Sequence, residues 1–188
     1  MLYISGLIIF YCLHMVPFNY KLRAVFSNTL GEKLYKLLFS FIILCSILMV
    51  IWGWHDFSNL YFYEPPLIMK QIHLLIMFPV TFLWVVAETP NNVKRFVRHP
   101  MLMGTKLWAF GHLLANGDLR SMILFLSIMF FSILAVVLSN RRKYFKPAKS
   151  MSLSYDLVVL LISILGYFIL AYFHGDLFGM PVLPYFTL

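Results

Sequence analysis

Long apolar runs separated by short polar segments dominate the chain. A helical membrane crossing needs about 20 mostly apolar residues. Six segments approach that length: 2–21, 35–54, 67–87, 100–116, 122–138 and 153–173. None alternates apolar and polar residues over a sustained stretch, which is the mark of a half-buried strand, and lipid offers no partner to an open sheet edge. The pattern predicts an all-α integral membrane protein, a bundle of about six transmembrane helices forming a single domain over residues 1–188. The fourth segment is the weakest, being short and interrupted by Lys106 and His112. Glu64-Pro65-Pro66 marks the turn before the third segment, and Asn116-Gly117-Asp118 is expected to cap the fourth and turn into the fifth.

Composition agrees. Hydrophobic residues make up 62% of the chain and charged residues only 12%, about half the roughly 25% usual for a soluble domain. Mean hydropathy is +0.85. Cys12 and Cys45 both fall inside apolar runs, with no C-x-x-C or C-x-x-C-H spacing, so they read as small buried hydrophobes. No Lys or Arg precedes Lys21 and no A-x-A site follows the first run, which is therefore expected to be an uncleaved span.

The formal net charge of +8 would suit nucleic acid if the cations formed one patch. They lie instead between apolar runs, so no nucleic-acid partner is expected and the lipid bilayer is. Lys21, Arg23, Lys33 and Lys36 occupy the first connection, Lys94, Arg95 and Arg98 the third, and Arg141, Arg142, Lys143, Lys146 and Lys149 the fifth. The positive-inside bias would place these three connections in the cytoplasm and both termini in the periplasm, where the cations also favour anionic headgroups. Trp52, Trp54, Tyr61, Phe62 and Tyr63 would form an interfacial belt on the opposite side.

Ionisable groups inside apolar spans are costly and mark candidate sites. His14 stands 12 residues into the first span and His112 stands 12 residues past Pro100. At ~1.5 Å per residue both lie about 18 Å from opposite faces, near the midplane of a core about 30 Å thick. Neutral imidazoles on two facing helices could ligate a haem iron from both sides, as bundle cores commonly do for cofactors. Gly6 and Phe10 share a helical stripe with His14. Gly104, Thr105, Trp108 and Asn116 share one with His112. Small residues there would admit a flat macrocycle and aromatics would pack on it. Lys106, on another face, would meet a propionate or Glu88. The same residues also read as hydrogen-bonded helix-packing contacts, with Lys106 snorkelling. His55, His73 and His174 fall in the outer half, without metal-binding spacing.

Residues 98–125 read RHPMLMGTKLWAFGHLLANGDLRSMILF. This block resembles the signature of the NnrU family, with R-H-P (Arg98, His99, Pro100), G-x-x-L-W-A and H-L-L-A-N-G-D. His14-x-x-Pro17 and the I-W-G-W after the second span also fit, and the resemblance covers roughly the first five spans. It implies a bacterial inner-membrane protein linked to nitrite and nitric oxide reduction. The family is similar to zeta-carotene isomerase, a haem b protein, whose axial histidines map onto His14 and His112. The isomerase carries a Cys three residues before the second His where this chain has Ala109, so a Cys/His ligand exchange does not carry over. The reading that follows is a haem b membrane protein, isomerase-like or redox-active, acting on a lipophilic small molecule or beside a respiratory membrane partner. Trp108, Lys106 and Asn116 would line the cofactor, and Gly117 and Asp118 its outer mouth.

Two alternatives stand beside it. Arg98-His99-Pro100 followed by Gly104 also resembles the R-H-P-x-Y-x-G stretch of membrane methyltransferases using S-adenosylmethionine, but Leu102 replaces the Tyr and the later Glu pair is missing. A non-catalytic accessory or assembly role for respiratory reductases is the other.

Overall fold

The computed structural model describes residues 1–141, 149–180 and 182. Arg142, Lys143 and Lys146 of the fifth connection lie outside the described residues. Helix accounts for 82% of the structure, and no β-strand occurs among the described residues. The expected fold class, an all-α membrane protein, is the one observed. The helices are α1 (Leu2–Met15), α2 (Tyr20–Leu30), α3 (Glu32–Asp56), α4 (Leu67–Glu88), α5 (Pro100–Ala115), α6 (Leu119–Asn140) and α7 (Leu153–Phe178). They fall into two compact units, Met1–Leu60 and Tyr61–Leu188.

In the first unit α1 packs antiparallel on α3. The contact is backbone to backbone because glycine occupies the crossing on both helices. A Cβ on Gly6 would stand 2.7 Å from the Ser46 carbonyl oxygen and 2.9 Å from the Val50 nitrogen, and one on Gly53 would run into the Tyr3 backbone. Gly6 therefore gives its space to α3, and not to a macrocycle beside His14. Tyr3 is fully buried there, its ring 5.8 Å from Trp54 and 4.8 Å from Phe57. α1 continues as a 3-10 turn, Val16–Phe18, that contains Pro17, and Asn19 then adopts an extended conformation. The Asn19 side chain accepts from the Leu22 amide at 3.1 Å and caps α2. The chain bends there by 94°. The first expected span thus ends at Phe18, after a rise of about 27 Å at ~1.5 Å per α-helical and ~2.0 Å per 3-10 residue. Gly31, at φ +78°, separates α2 from α3 with a conformation that side chains disfavour.

In the second unit α5 packs between α4 and α6, and α7 lies against α4. Glycine again sets the α4–α5 spacing. A Cβ on Gly104 would meet the Trp84 ring at 2.8 Å, and one on Gly111 would meet the Met77 methyl at 2.5 Å. One end of this unit is tied by Asn92. Its amide nitrogen donates to the Met151 carbonyl (3.0 Å) and to Asp156 Oδ2 (2.7 Å), and its carbonyl oxygen accepts from the Met151 amide (2.8 Å). The third and fifth connections therefore share one end, with Lys94, Arg95, Arg98, Arg141 and Lys149 on it, as the charge pattern requires. At the other end residues 61–63 lie along the α5–α6 turn. The Phe62 amide donates to the Gly117 carbonyl at 2.9 Å, and Tyr61 bridges to Asp118.

Four helices, α3, α4, α6 and α7, are long and apolar enough to cross a membrane, and the bent α1–α2 pair raises that number to five. The remaining expected span is α5, whose sixteen residues rise about 24 Å. It is short for a crossing that must stand alone in lipid.

The glycine crossings carry a test. Gly53→Ala should lower the stability of the detergent-purified protein by about 1–3 kcal/mol, the usual cost of overpacking, because the obstructing atoms are backbone. Gly166→Ala, on α7 with nothing within 4 Å of its added methyl, should be neutral or slightly stabilising. Equal thermal midpoints for the two variants would contradict backbone contact between α1 and α3.

Candidate functional site

The stripe Gly104, Trp108, His112 on α5 turns toward α4 and α6. The His112 ring lies 4.8 Å from Trp108, 4.6 Å from Phe125 at a shallow 30°, and 4.5 Å from His73 nearly edge-on at 80°. Trp108 in turn packs 5.2 Å from Phe125 and 6.2 Å from Trp84. An aromatic box assembled from three helices encloses the imidazole.

His112 Nδ1 is 2.9 Å from the Trp108 carbonyl oxygen. A carbonyl only accepts, so Nδ1 carries the proton and Nε2 holds the lone pair. His14, in the first unit, repeats the arrangement: Nδ1 is 2.8 Å from the Phe10 carbonyl, with the Phe10 ring 4.1 Å away and Phe39 of α3 at 6.0 Å. A neutral imidazole with Nδ1–H bonded to a carbonyl is the state in which Nε2 ligates a transition metal. Both histidines singled out by depth are therefore held in a ligand-competent tautomer by their own helices.

His73 was not paired with His112 from the sequence. It is buried, at 6% exposure, and its Nδ1 has no hydrogen-bond partner among the described residues. The same is true of Trp84 Nε1. Each such atom costs about 1–3 kcal/mol when desolvated and unpaired. Both belong to α4 side chains facing Gly104, Trp108, Gly111 and His112. The signal that could have revealed the pair is the antiparallel register: His73 lies six residues from the start of α4 and His112 three from the end of α5, both counted from the same end of the unit.

The other expected residues separate. The Asn116 side-chain nitrogen donates to the His112 carbonyl at 2.8 Å, closing α5. Asp118 Oδ1 accepts from the Ser121 amide at 3.1 Å and caps α6, and Arg120 Nε lies 3.4 Å from the same oxygen. A Cβ on Gly117 would strike the Tyr63 carbonyl. These three residues build the turn that the sequence suggested. Lys106 is exposed on another face of α5 and makes no ion pair with Glu88. His99 is the N-cap residue of α5, with Pro100 in its first turn, and its Nε2 lies 3.0 Å from Asn140 Oδ1 at the basic end. Arg98 is half-exposed beside it. His174 Nδ1 donates to the Met180 carbonyl at 2.7 Å, and His55 is exposed at the end of α3. No group of three or more His, Cys, Asp or Glu side chains suited to a metal ion occurs among the described residues.

A family model described as NnrU protein matches residues 2–182 of the chain. No curated protein and no solved structure matches it.

The last turn of α5, which carries His112, is anchored by Tyr63, whose hydroxyl donates to the Leu113 carbonyl and, at 3.1 Å, to that of Asn116. Tyr63→Phe should cost about 1 kcal/mol, the net worth of a typical hydrogen bond. Burial raises the Tyr63 phenol above its usual value. Its neutral form is thus favoured on folding, and its contribution is complete below about pH 10 and lost as pH climbs through the raised value. Melting curves between about pH 8 and 12 should show the wild type losing its advantage over Tyr63→Phe at the alkaline end; a pH-independent gap would contradict this anchoring.

Proposed function

The chain belongs to the NnrU family, and we propose that it is a membrane-embedded haem b protein of nitrite and nitric oxide metabolism in which His112 and His14 are the residues that would hold the haem. The observation that carries this reading is the pair of Nδ1–H bonds to the Trp108 and Phe10 carbonyls, which leave Nε2 of both imidazoles as the donor atom. Family membership and the helical membrane architecture supply the frame. The unpartnered His73 Nδ1 and Trp84 Nε1 beside His112 fit a site whose polar atoms find partners when a cofactor or substrate is bound.

When bound, haem would supply an iron centre able to exchange electrons or to polarise a lipophilic substrate. The chain's own contribution is positional. The Trp108 carbonyl fixes the His112 tautomer and ring orientation, while Trp108 and Phe125 exclude water from the imidazole. His73, in ring contact with His112, is the nearest group able to hold or pass a proton. The clustering of cations at the Asn92 end supports a cytoplasmic placement of that end in the bacterial inner membrane, and the periplasmic termini follow from it.

An absorption spectrum of the detergent-purified protein, expressed with haem supplied, tests the proposal. A Soret band is expected, and His112→Ala and His14→Ala should each abolish or displace it while the helical circular dichroism is retained. A colourless preparation that is fully folded would refute haem binding.

A further inference from the structure

Helix α2 is not long enough to be a span and is not packed as part of a core. Its eleven residues rise about 16 Å, and none of them is buried. Leu22, Val25, Phe26, Thr29 and Leu30 follow the i, i+3, i+4, i+7, i+8 spacing of one helical face. Lys21 and Arg23 flank that face on either side, and Ala24, Ser27 and Asn28 lie opposite. The apolar face is largely uncovered within its own unit: Val25 is 60% exposed. The Phe26 ring lies 6.4 Å from Tyr35 and almost parallel to it, and Glu32 at the start of α3 bonds both Arg23 (2.9 Å) and Lys36 (3.1 Å). These contacts hold α2 across the base of α3, and the 94° bend sets it perpendicular to α1.

We propose that α2 is an in-plane helix that docks on an anionic phospholipid surface at the membrane boundary. With α1 crossing the bilayer, a right-angle bend lays α2 along the headgroup plane. The leucine, valine and phenylalanine face then enters the acyl boundary, and its flanking cations reach lipid phosphates, an arrangement that binds interfacial helices about 5–10 Å deep. The charge around it is complementary to such a surface: Lys21, Arg23, Lys33 and Lys36 against the single Glu32. Lys21 and Lys33 are exposed. Each cation near an anionic surface strengthens attachment by about fivefold.

The full chain, with Cys12→Ser and Cys45→Ser, carries one fluorescent label at Val25→Cys or at Asn28→Cys in lipid nanodiscs. The discs hold either phosphatidylcholine alone or phosphatidylcholine with phosphatidylglycerol. In the anionic discs, brominated acyl chains should quench the Val25 label roughly threefold more than the Asn28 label, with aqueous iodide showing the reverse order. That contrast should shrink in neutral discs and in the Lys21→Gln/Lys33→Gln variant, whose exposed substitutions leave the fold intact. Equal quenching of the two positions in anionic discs overturns the in-plane placement. Protection of both labels from both quenchers overturns it in favour of a second copy or another protein covering the helix. A contrast indifferent to lipid charge and to the lysine substitutions overturns anionic recognition.

Discussion

Glycine sets the closest helix approaches in this protein: between α1 and α3 it admits the backbone of the facing helix, and between α4 and α5 it admits that helix's side chains. Gly6 and Gly53 bring α1 onto α3, and Gly104 and Gly111 bring α5 onto α4. In lipid the constraint is severe, because moving a leucine from acyl chains to another helix gains little. Close packing and internally satisfied polar groups must supply the cohesion. Ser46, Ser132 and Ser163 show the second half of the rule. All three are fully buried, and each hydroxyl donates to a carbonyl of its own helix at 2.7 Å. They act as small residues and leave no polar atom facing hydrocarbon. The large apolar side chains, such as Leu161, Leu165 and Phe168 of α7, lie on the outside.

The same inversion explains which parts of the fold hydropathy could reveal. Helices α3, α4, α6 and α7 were readable because an uninterrupted apolar run long enough to cross lipid has few other solutions. The turn 116–118 was readable because Asn-Gly-Asp carries its own cap chemistry. The 94° bend after Phe18 was not, since a run that ends at Asn19-Tyr20-Lys21 reads as a span reaching the headgroups and not as a helix that turns. Only Pro17 and the capping Asn19 hinted that the helix stops there. The short α5 was legible as a weak span, but not as a helix confined between two neighbours.

At the candidate site, residue spacing identified His14 and His112, and the helical stripe identified Phe10 and Trp108 as their neighbours at i−4. The carbonyls of those same residues fix the imidazole tautomers, so local helix geometry alone made that much predictable. His73 belongs to a different class. Its proximity to His112 depends on how α4 and α5 are offset, and that offset is set by Gly111 against Met77 and Gly104 against Trp84. Hydropathy is blind to such register, and depth measured from opposite ends of two helices hides a pair that lies close when both are measured from one end. Lys106 shows the converse: a charge within a span need not face the bundle when the span is short and its neighbours leave one face open.

A helix that must insert alone is constrained to be apolar throughout. α5 escapes that constraint because both of its ends are fastened to the rest of its unit. At the basic end His99 meets Asn140; at the other, Tyr63 holds the carbonyls of Leu113 and Asn116. Between those ties α4 and α6 cover its two sides. The stripe carrying Gly104, Trp108 and His112 is therefore free to be chosen for chemistry rather than for hydropathy. The unit is asymmetric: His112 sits near the Tyr63 end, opposite the cations gathered around Asn92. Trp108 and Phe125 pack on the imidazole at that end, and the Trp108 carbonyl accepts from its Nδ1–H, so one turn of α5 supplies both a wall of the site and the orientation of the ring.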